Sequence, residues 1–205
     1  MADDVTTAAL GVFVGLGPRT VALAGGSTPR PLYRALAEQT YPWPEVEVFF
    51  GDERCVPPDH ADSNFGMAHD ALLAQVPARV HPMPGETCAA DAYERTLRER
   101  FGDEVPSLDL ILLGLGEDGH TASLFPGNRA LDERDRWVVR VERPDHPRLT
   151  LTLPVLSAAR AAMFLIEGEA KREPLRKLLD GDPDTPAARV EADRVLVVAD
   201  RAAAG

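Results

Sequence analysis

Short runs of β-prone apolar residues recur along this sequence, and Gly, Pro or Asp separates most of them from stretches with helical spacing. The runs are 20–24 (TVALA), 46–50 (VEVFF), 108–113 (LDLILL), 137–141 (WVVRV), 150–153 (TLTL), 163–167 (MFLIE) and 195–199 (VLVVA). Several are apolar at consecutive positions, which suits strands whose two faces are both covered by helices. Apolar residues three and four apart predict helices over 32–39, 64–73, 87–100, 155–161 and 170–179. The alternation predicts an α/β domain with a Rossmann-like, open, mostly parallel sheet flanked by helices. The 205 residues are 44% hydrophobic and show no repeat or linker, so one domain spanning 1–205 is expected. The Pro- and Asp-rich stretch 143–147 reads as a loop.

In such a sheet, ligands collect beyond the carboxyl ends of the strands. After TVALA comes GGSTPRPLYRAL, where Gly25 and Gly26 permit a tight turn, Thr28 suits an N-cap and Pro29 suits the first helical position. Backbone N–H groups and the Ser27 and Thr28 hydroxyls would then face a phosphate, although an ordinary capped turn accounts for the same residues. No GK[ST] follows, which disfavours ATP hydrolysis. After VEVFF comes GDERCVPPDHADSN, with Asp52 suited to sugar hydroxyls or proton transfer and Arg54 to an anion, or both to a solvated salt-bridge loop.

The third end, GLGEDGHTASLFP, matches GxGxxG at Gly114, Gly116 and Gly119. A dinucleotide site also needs a long helix starting inside that motif, and Pro126-Gly127 leaves no room for one. The glycines read instead as loop formers around a small ligand. His120, between acids on a strand tip, reads as a general base, with a buried structural histidine as the plain alternative.

The net charge of -11 disfavours nucleic acid and requires a local cationic pocket for any anionic substrate. The acidic start at Met1, Ala2, Asp3 and Asp4 does not resemble a signal peptide, and no apolar run approaches the ~20 residues of a membrane span. Cys55 and Cys88 lack metal-ligand spacing and are expected to stay reduced, in keeping with a cytoplasmic protein. Cys55 has no histidine suitably placed to make it a nucleophile. The five histidines, His60, His69, His81, His120 and His146, show no HExxH-type spacing, so no metal is expected in the site.

The blocks AGGSTPRPLY (24–33), FFGDERCVPPDHADSNFGMA (49–68), LDLILLGLGEDGHTASLFP (108–126), PRLTLTLPVLSAAR (147–160) and EGEAKREPLRKLL (167–179) lie in order along the chain. Together with VLVVADRAAA at 195–204, they resemble the glucosamine-6-phosphate isomerase/6-phosphogluconolactonase family, on its lactonase side. The resemblance implies the fold of glucosamine-6-phosphate deaminase. It also implies hydrolysis of 6-phospho-D-glucono-1,5-lactone to 6-phosphogluconate, in the oxidative pentose phosphate pathway, without a cofactor. Carried over from the same resemblance, His120 would take the role of base, Asp52 and Arg54 would orient the sugar and its developing charge, and Gly26, Ser27, Thr28, Arg148 and Lys171 would anchor the phosphate.

The alternatives are a deaminase and a non-catalytic sugar-phosphate-sensing domain. Deaminases carry Met-Asp-Glu-Tyr where this chain has Gly51-Asp52-Glu53-Arg54, and they continue differently after the histidine; the sensors usually lack the Asp and His elements. Family members usually begin with an extra strand before the GGSTP block, and here that strand is expected to be missing. No membrane partner is implied. The oligomeric state is not fixed by sequence, and a monomer is the working expectation.

Overall fold

The computed structural model of the chain describes residues 4–205, so Met1, Ala2 and Asp3 of the acidic start lie outside the described residues. The strands are β1 (Thr20–Leu23), β2 (Glu47–Phe50), β3 (Asp52–Arg54), β4 (Arg79–Val80), β5 (Leu110–Leu113), β6 (Val138–Val141), β7 (Arg148–Leu151), β8 (Ala162–Ile166) and β9 (Val195–Ala199). The helices are α1 (Val5–Leu16), α2 (Pro29–Ala37), α3 (Asn64–Ala68), α4 (Ala90–Phe101), α5 (Leu153–Ser157), α6 (Arg172–Asp180) and α7 (Arg201–Ala204).

Six strands form a parallel sheet in the order β4-β2-β1-β5-β8-β9. Every residue of β1, β5 and β8 is buried, which explains their uninterrupted apolar runs. From β1 the chain moves outward to β2 on one side, and β5 lies on the other, so the strand order reverses between β1 and β5. At such a switch point, the loops leaving the two strands part and leave a crevice.

The runs at 137–141 and 150–153 do not join this sheet. They form β6 and β7 of a second, antiparallel sheet ordered β3-β7-β6. The connection at 142–147 is far too short for a parallel crossover, which takes a dozen residues or more, so it closes a hairpin. Asp52–Arg54, expected as a strand tip running into a loop, continues as a strand of its own. Gly51 hinges the two sheets: its N–H donates to the Leu23 carbonyl at 3.0 Å, and its carbonyl accepts from Leu151 N–H at 2.9 Å.

Helix α1 lies where the sequence reading placed no element. It is capped by Asp4, whose carboxylate accepts from Thr6 N–H at 2.9 Å, and it ends at Gly17 with φ 61°. Its Phe13 packs on Tyr41 and Trp43, with ring centroids 5.6 and 6.4 Å away. Among the described residues no strand precedes β1. Val5, Ala9 and Phe13 are buried nonetheless.

The expectation of reduced cysteines is overturned. Cys55 and Cys88 form a disulfide, with Cα atoms 5.0 Å apart. Their separation of 33 residues carries no spacing signal, and only the packing of the 85–88 turn against β3 brings them into bonding range. Gly85 permits that packing, since a Cβ there would stand 2.7 Å from the Arg54 carbonyl oxygen.

Two buried tyrosines hold the strand ends beneath the crevice. The Tyr33 hydroxyl donates to the Ala24 carbonyl at 2.7 Å and accepts from Ala24 N–H at 2.9 Å, while the Tyr93 hydroxyl accepts from Phe50 N–H at 2.9 Å. Burial pushes both phenols well above their ordinary value, so they act as neutral partners. Tyr33→Phe would strand two buried backbone groups, each costing about 1–3 kcal/mol. A measurable fall in the urea midpoint at unchanged m-value is expected, and an unchanged midpoint would show that the hydroxyl does not hold the end of β1.

Candidate active site

A cavity of about 350 Å³ opens beyond the carboxyl ends of β1, β5 and β8. Each wall comes from a different segment: Gly26, Ser27 and Thr28 after β1, His120 after β5, Lys171 after β8, and Asp52, Arg54 and Arg148 from the antiparallel sheet. All eight residues singled out in the sequence line this one cavity.

The turn after β1 is shaped by two different glycine requirements. Gly26 has φ 99°, in the left-handed region, whereas Gly25 is needed for space, since a Cβ there would meet the Asn64 side chain at 1.8 Å. Thr28 stands at the N-cap of α2 without a side-chain cap bond, and its hydroxyl lies near enough to Glu167 to favour the carboxylate. Pro29 and Pro31 have no N–H, so the donors of this turn are those of residues 26–28 and Arg30. Burial raises the Glu167 carboxyl above its ordinary value and the nearby Asp200 adds to the effect, against the pull of the Thr28 hydroxyl.

The loop after β5 turns back sharply. Gly116 N–H donates to the His120 carbonyl at 2.8 Å, and Gly119 takes φ 83°. The His120 Nδ1 lies 2.5 Å from Asp118 Oδ1, which also accepts the His120 backbone N–H at 3.1 Å. Burial raises the Asp118 carboxyl, but the His120 ring and backbone bonds outweigh it and hold the carboxyl below the usual carboxylate range. With Nδ1 engaged, Nε2 is the ring nitrogen left to exchange a proton. The ring also rests against Phe125, with centroids 4.5 Å apart.

Asp52 is buried, and each of its carboxylate oxygens accepts one side-chain hydrogen bond. Ser123 Oγ donates to its Oδ2 at 2.6 Å and Asn64 Nδ2 donates to its Oδ1 at 3.1 Å. Its neighbour Glu53 faces away and caps α3, accepting from Asn64 and Phe65 N–H groups at 2.7 Å each. Arg54 and Arg148 are cross-strand partners in the β3–β7 register. Arg54 Nη1 donates to the Asp62 carbonyl at 2.8 Å, and Arg148 pairs with Asp145. In both guanidinium groups Nε is buried without a hydrogen-bond partner. Buried donors are seldom left unpaired, which sets these two N–H groups apart from the other donors of the site.

The geometry combines a fixed imidazole, a held carboxylate and several cationic donors around a sugar-sized space. The family model for glucosamine-6-phosphate isomerases/6-phosphogluconolactonase matches residues 1–198. The chain belongs to this family. It is 46% identical over 199 residues to the 6-phosphogluconolactonase of Synechocystis sp., with 90% of this chain and 82% of that protein covered. To the 6-phosphogluconolactonase of Homo sapiens it is 39% identical over 180 residues, covering 80% of this chain and 69% of that one. The solved 6-phosphogluconolactonase of Thermotoga maritima superposes with a TM-score of 0.88 at 30% identity, covering 98% of this chain and 97% of that one. A monomeric glucosamine-6-phosphate deaminase superposes with a TM-score of 0.81 at 24% identity, covering 98% and 95%, which speaks to the fold alone. The deaminase-like fold expected from the resemblance is thus the fold observed.

Asn64, Ser123 and Glu167 surround the site and were not singled out in the sequence. Each acts through a partner distant in the chain, such as the 71 residues between Ser123 and Asp52, so no local signal marks them.

Gly116 is the residue on which the histidine geometry turns. A Cβ there would stand 2.0 Å from His120 Nδ1 and 2.7 Å from Asp118 Oδ1, so Gly116→Ala must push the ring off its carboxylate. The variant is expected to lose the downfield Nδ1 proton resonance of His120 while melting close to the wild type. Persistence of that resonance would mean that the close approach does not set the ring.

Proposed function

We propose that this chain hydrolyses 6-phospho-D-glucono-1,5-lactone to 6-phosphogluconate, the lactone-opening step of the oxidative pentose phosphate pathway. The observation that carries this reading is the His120–Asp118 pair, set beside a group of cationic donors in one sugar-sized cavity. The named relatives support the same substrate class.

In this mechanism His120 Nε2 accepts a proton from water as the water oxygen bonds to the lactone carbonyl carbon. The carbonyl π electrons move to oxygen, and Asp118 steadies the imidazolium through Nδ1. The tetrahedral intermediate collapses by breaking the bond to the ring oxygen, which leaves with the proton held on His120. The net change is one water consumed, one carboxylic acid formed and one hydroxyl released, with the histidine returned to its starting state. No covalent enzyme intermediate, cofactor or metal takes part.

Arg54 and Asp52 orient the sugar and its developing charge. Asp52, held by Ser123 and Asn64, accepts from sugar hydroxyls, and Arg54 offers its unpaired Nε to oxygen. The 26–28 turn, Arg148 and Lys171 anchor the phosphate dianion. Such an anchor is needed because a chain of net charge -11 repels the substrate at long range.

Replacing the base tests the mechanism directly. His120→Ala is expected to lower kcat by roughly 10²-fold or more with little change in KM, because the base acts in the transition state. The measurement is lactone consumption with the spontaneous rate subtracted, in the presence of chelator, which should leave the wild type active. Near-wild-type kcat in the folded variant would remove His120 from the mechanism, and ammonia release from glucosamine-6-phosphate would favour the deaminase reading.

The anchor is tested by substrate comparison. A charge-assisted hydrogen bond is worth about 1.5–3 kcal/mol, or roughly 10–150-fold in binding. Lys171→Ala is expected to lower kcat/KM for the phosphorylated lactone by about that factor and to leave unphosphorylated gluconolactone almost unaffected. Equal losses on both substrates would show that Lys171 does not hold the phosphate.

A further inference from the structure

His60 and Asp62 sit in the loop after β3, and His146 sits in the β6–β7 hairpin, 84 residues beyond Asp62. None of the three lines the substrate cavity. His146 Nε2 lies 3.2 Å from Asp62 Oδ2, and His60 Nδ1 lies 3.7 Å from the same oxygen. The two rings meet edge to face with centroids 5.3 Å apart, and one ligand atom from each of the three residues falls within 4.8 Å of the others. Two imidazoles and one carboxylate therefore converge from two separate segments.

Zinc-type cations bind His nitrogen and carboxylate oxygen at about 2.0–2.2 Å, which puts neighbouring ligand atoms of a tetrahedral site about 3.3 Å apart. The two measured separations from Asp62 already approach that spacing. The third closes by small rotations of the exposed His60 and Asp62 side chains (42% and 52% exposed), with the metal replacing the 3.1 Å hydrogen bond that His60 Nδ1 accepts from Asp62 N–H. Imidazole ligands suit zinc and its transition-metal neighbours, whereas magnesium and calcium require oxygen-rich shells. The overall charge of -11 also raises the local cation concentration.

We propose that His60, Asp62 and His146 form a binding site for a divalent transition-metal cation of the zinc type, with water completing the coordination. The site lies outside the lactone chemistry, but its neighbours do not. The Asp62 carbonyl accepts from Arg54, and Asp145, next to His146, pairs with Arg148. A cation held there ties together the two segments that buttress the paired arginines of the substrate cavity, as a clamp across loops 57–63 and 142–147.

The experiment is a calorimetric titration of the metal-free protein with zinc, alongside hydrogen exchange with and without the ion. One equivalent of zinc is expected to bind in excess magnesium, and exchange should slow in both loops. His60→Ala, His146→Ala and the conservative Asp62→Asn should each weaken binding by more than about ten-fold, and His146→Ala should abolish the slowed exchange. His60 and Asp62 are exposed and His146 is half-buried, so the variants should keep the wild-type melting temperature and zinc-free lactone hydrolysis. The same binding in a His120→Ala background would confirm that the catalytic histidine is not the ligand. The proposal is overturned if zinc does not bind, if binding survives unweakened in the His60→Ala/His146→Ala double variant, if it is lost with His120, or if zinc binds without slowing exchange in either loop.

Discussion

Where β1 and β5 lie side by side, the chain must leave their carboxyl ends in diverging directions, and no loop can fill the space between them. The rest of the molecule is organised around that vacancy. Its floor is rigid because strand ends that could fray are hydrogen-bonded to buried side chains. The Tyr33 hydroxyl satisfies both backbone groups of Ala24, and Tyr93 takes the last N–H of β2. At the opposite end of the same strands, Asp109 accepts from Arg19 and Thr20 N–H groups at 2.9 and 3.0 Å and locks β1 to β5. The turns that leave these strands therefore start from fixed positions.

The antiparallel sheet supplies what the parallel sheet cannot. A parallel sheet presents strand ends to its ligand, and here those ends carry glycines, hydroxyls and one histidine. The paired arginines come instead from β3 and β7, hinged onto β2 by Gly51. Two buried carboxylates hold this added layer in place. Glu53 caps α3 and takes the Ser63 hydroxyl at 3.2 Å, and burial pushes its carboxyl up against the pull of those backbone N–H groups. Glu94 of α4 accepts from Arg98 and Arg136 and from Trp137 N–H; burial raises its carboxyl, but the two arginines prevail and hold it below its ordinary value. Charge is thus concentrated where position matters, while the exposed surface remains broadly acidic.

Glycine use around the cavity separates two physical needs that a sequence motif merges. In the stretch from Gly114 to Gly119, a Cβ at Gly114 would meet nothing, one at Gly116 would strike His120, and Gly119 is required for its positive φ. The pattern looks like a dinucleotide fingerprint, yet its spacing serves a histidine that folds back onto its own loop.

The sequence by itself indicated the parallel sheet, because strands covered on both faces carry consecutive apolar residues, and that signal is local. It also determined the turn chemistry of GGSTP and EDGHTASLFP, because glycine, proline and capping residues act on their immediate neighbours. The ordered blocks fixed the family for the same reason: each carries its pattern in adjacent positions. Tertiary structure alone decided which strands form the second sheet, since 137–141 and 150–153 look like the parallel strands until the hairpin between them is seen. It alone paired Cys55 with Cys88 and brought Ser123 to Asp52 and His146 to Asp62, contacts between residues far apart in the chain. A local pattern records what a residue does to its neighbours in the chain. The partners that a buried donor or carboxylate finds across the fold leave no such mark.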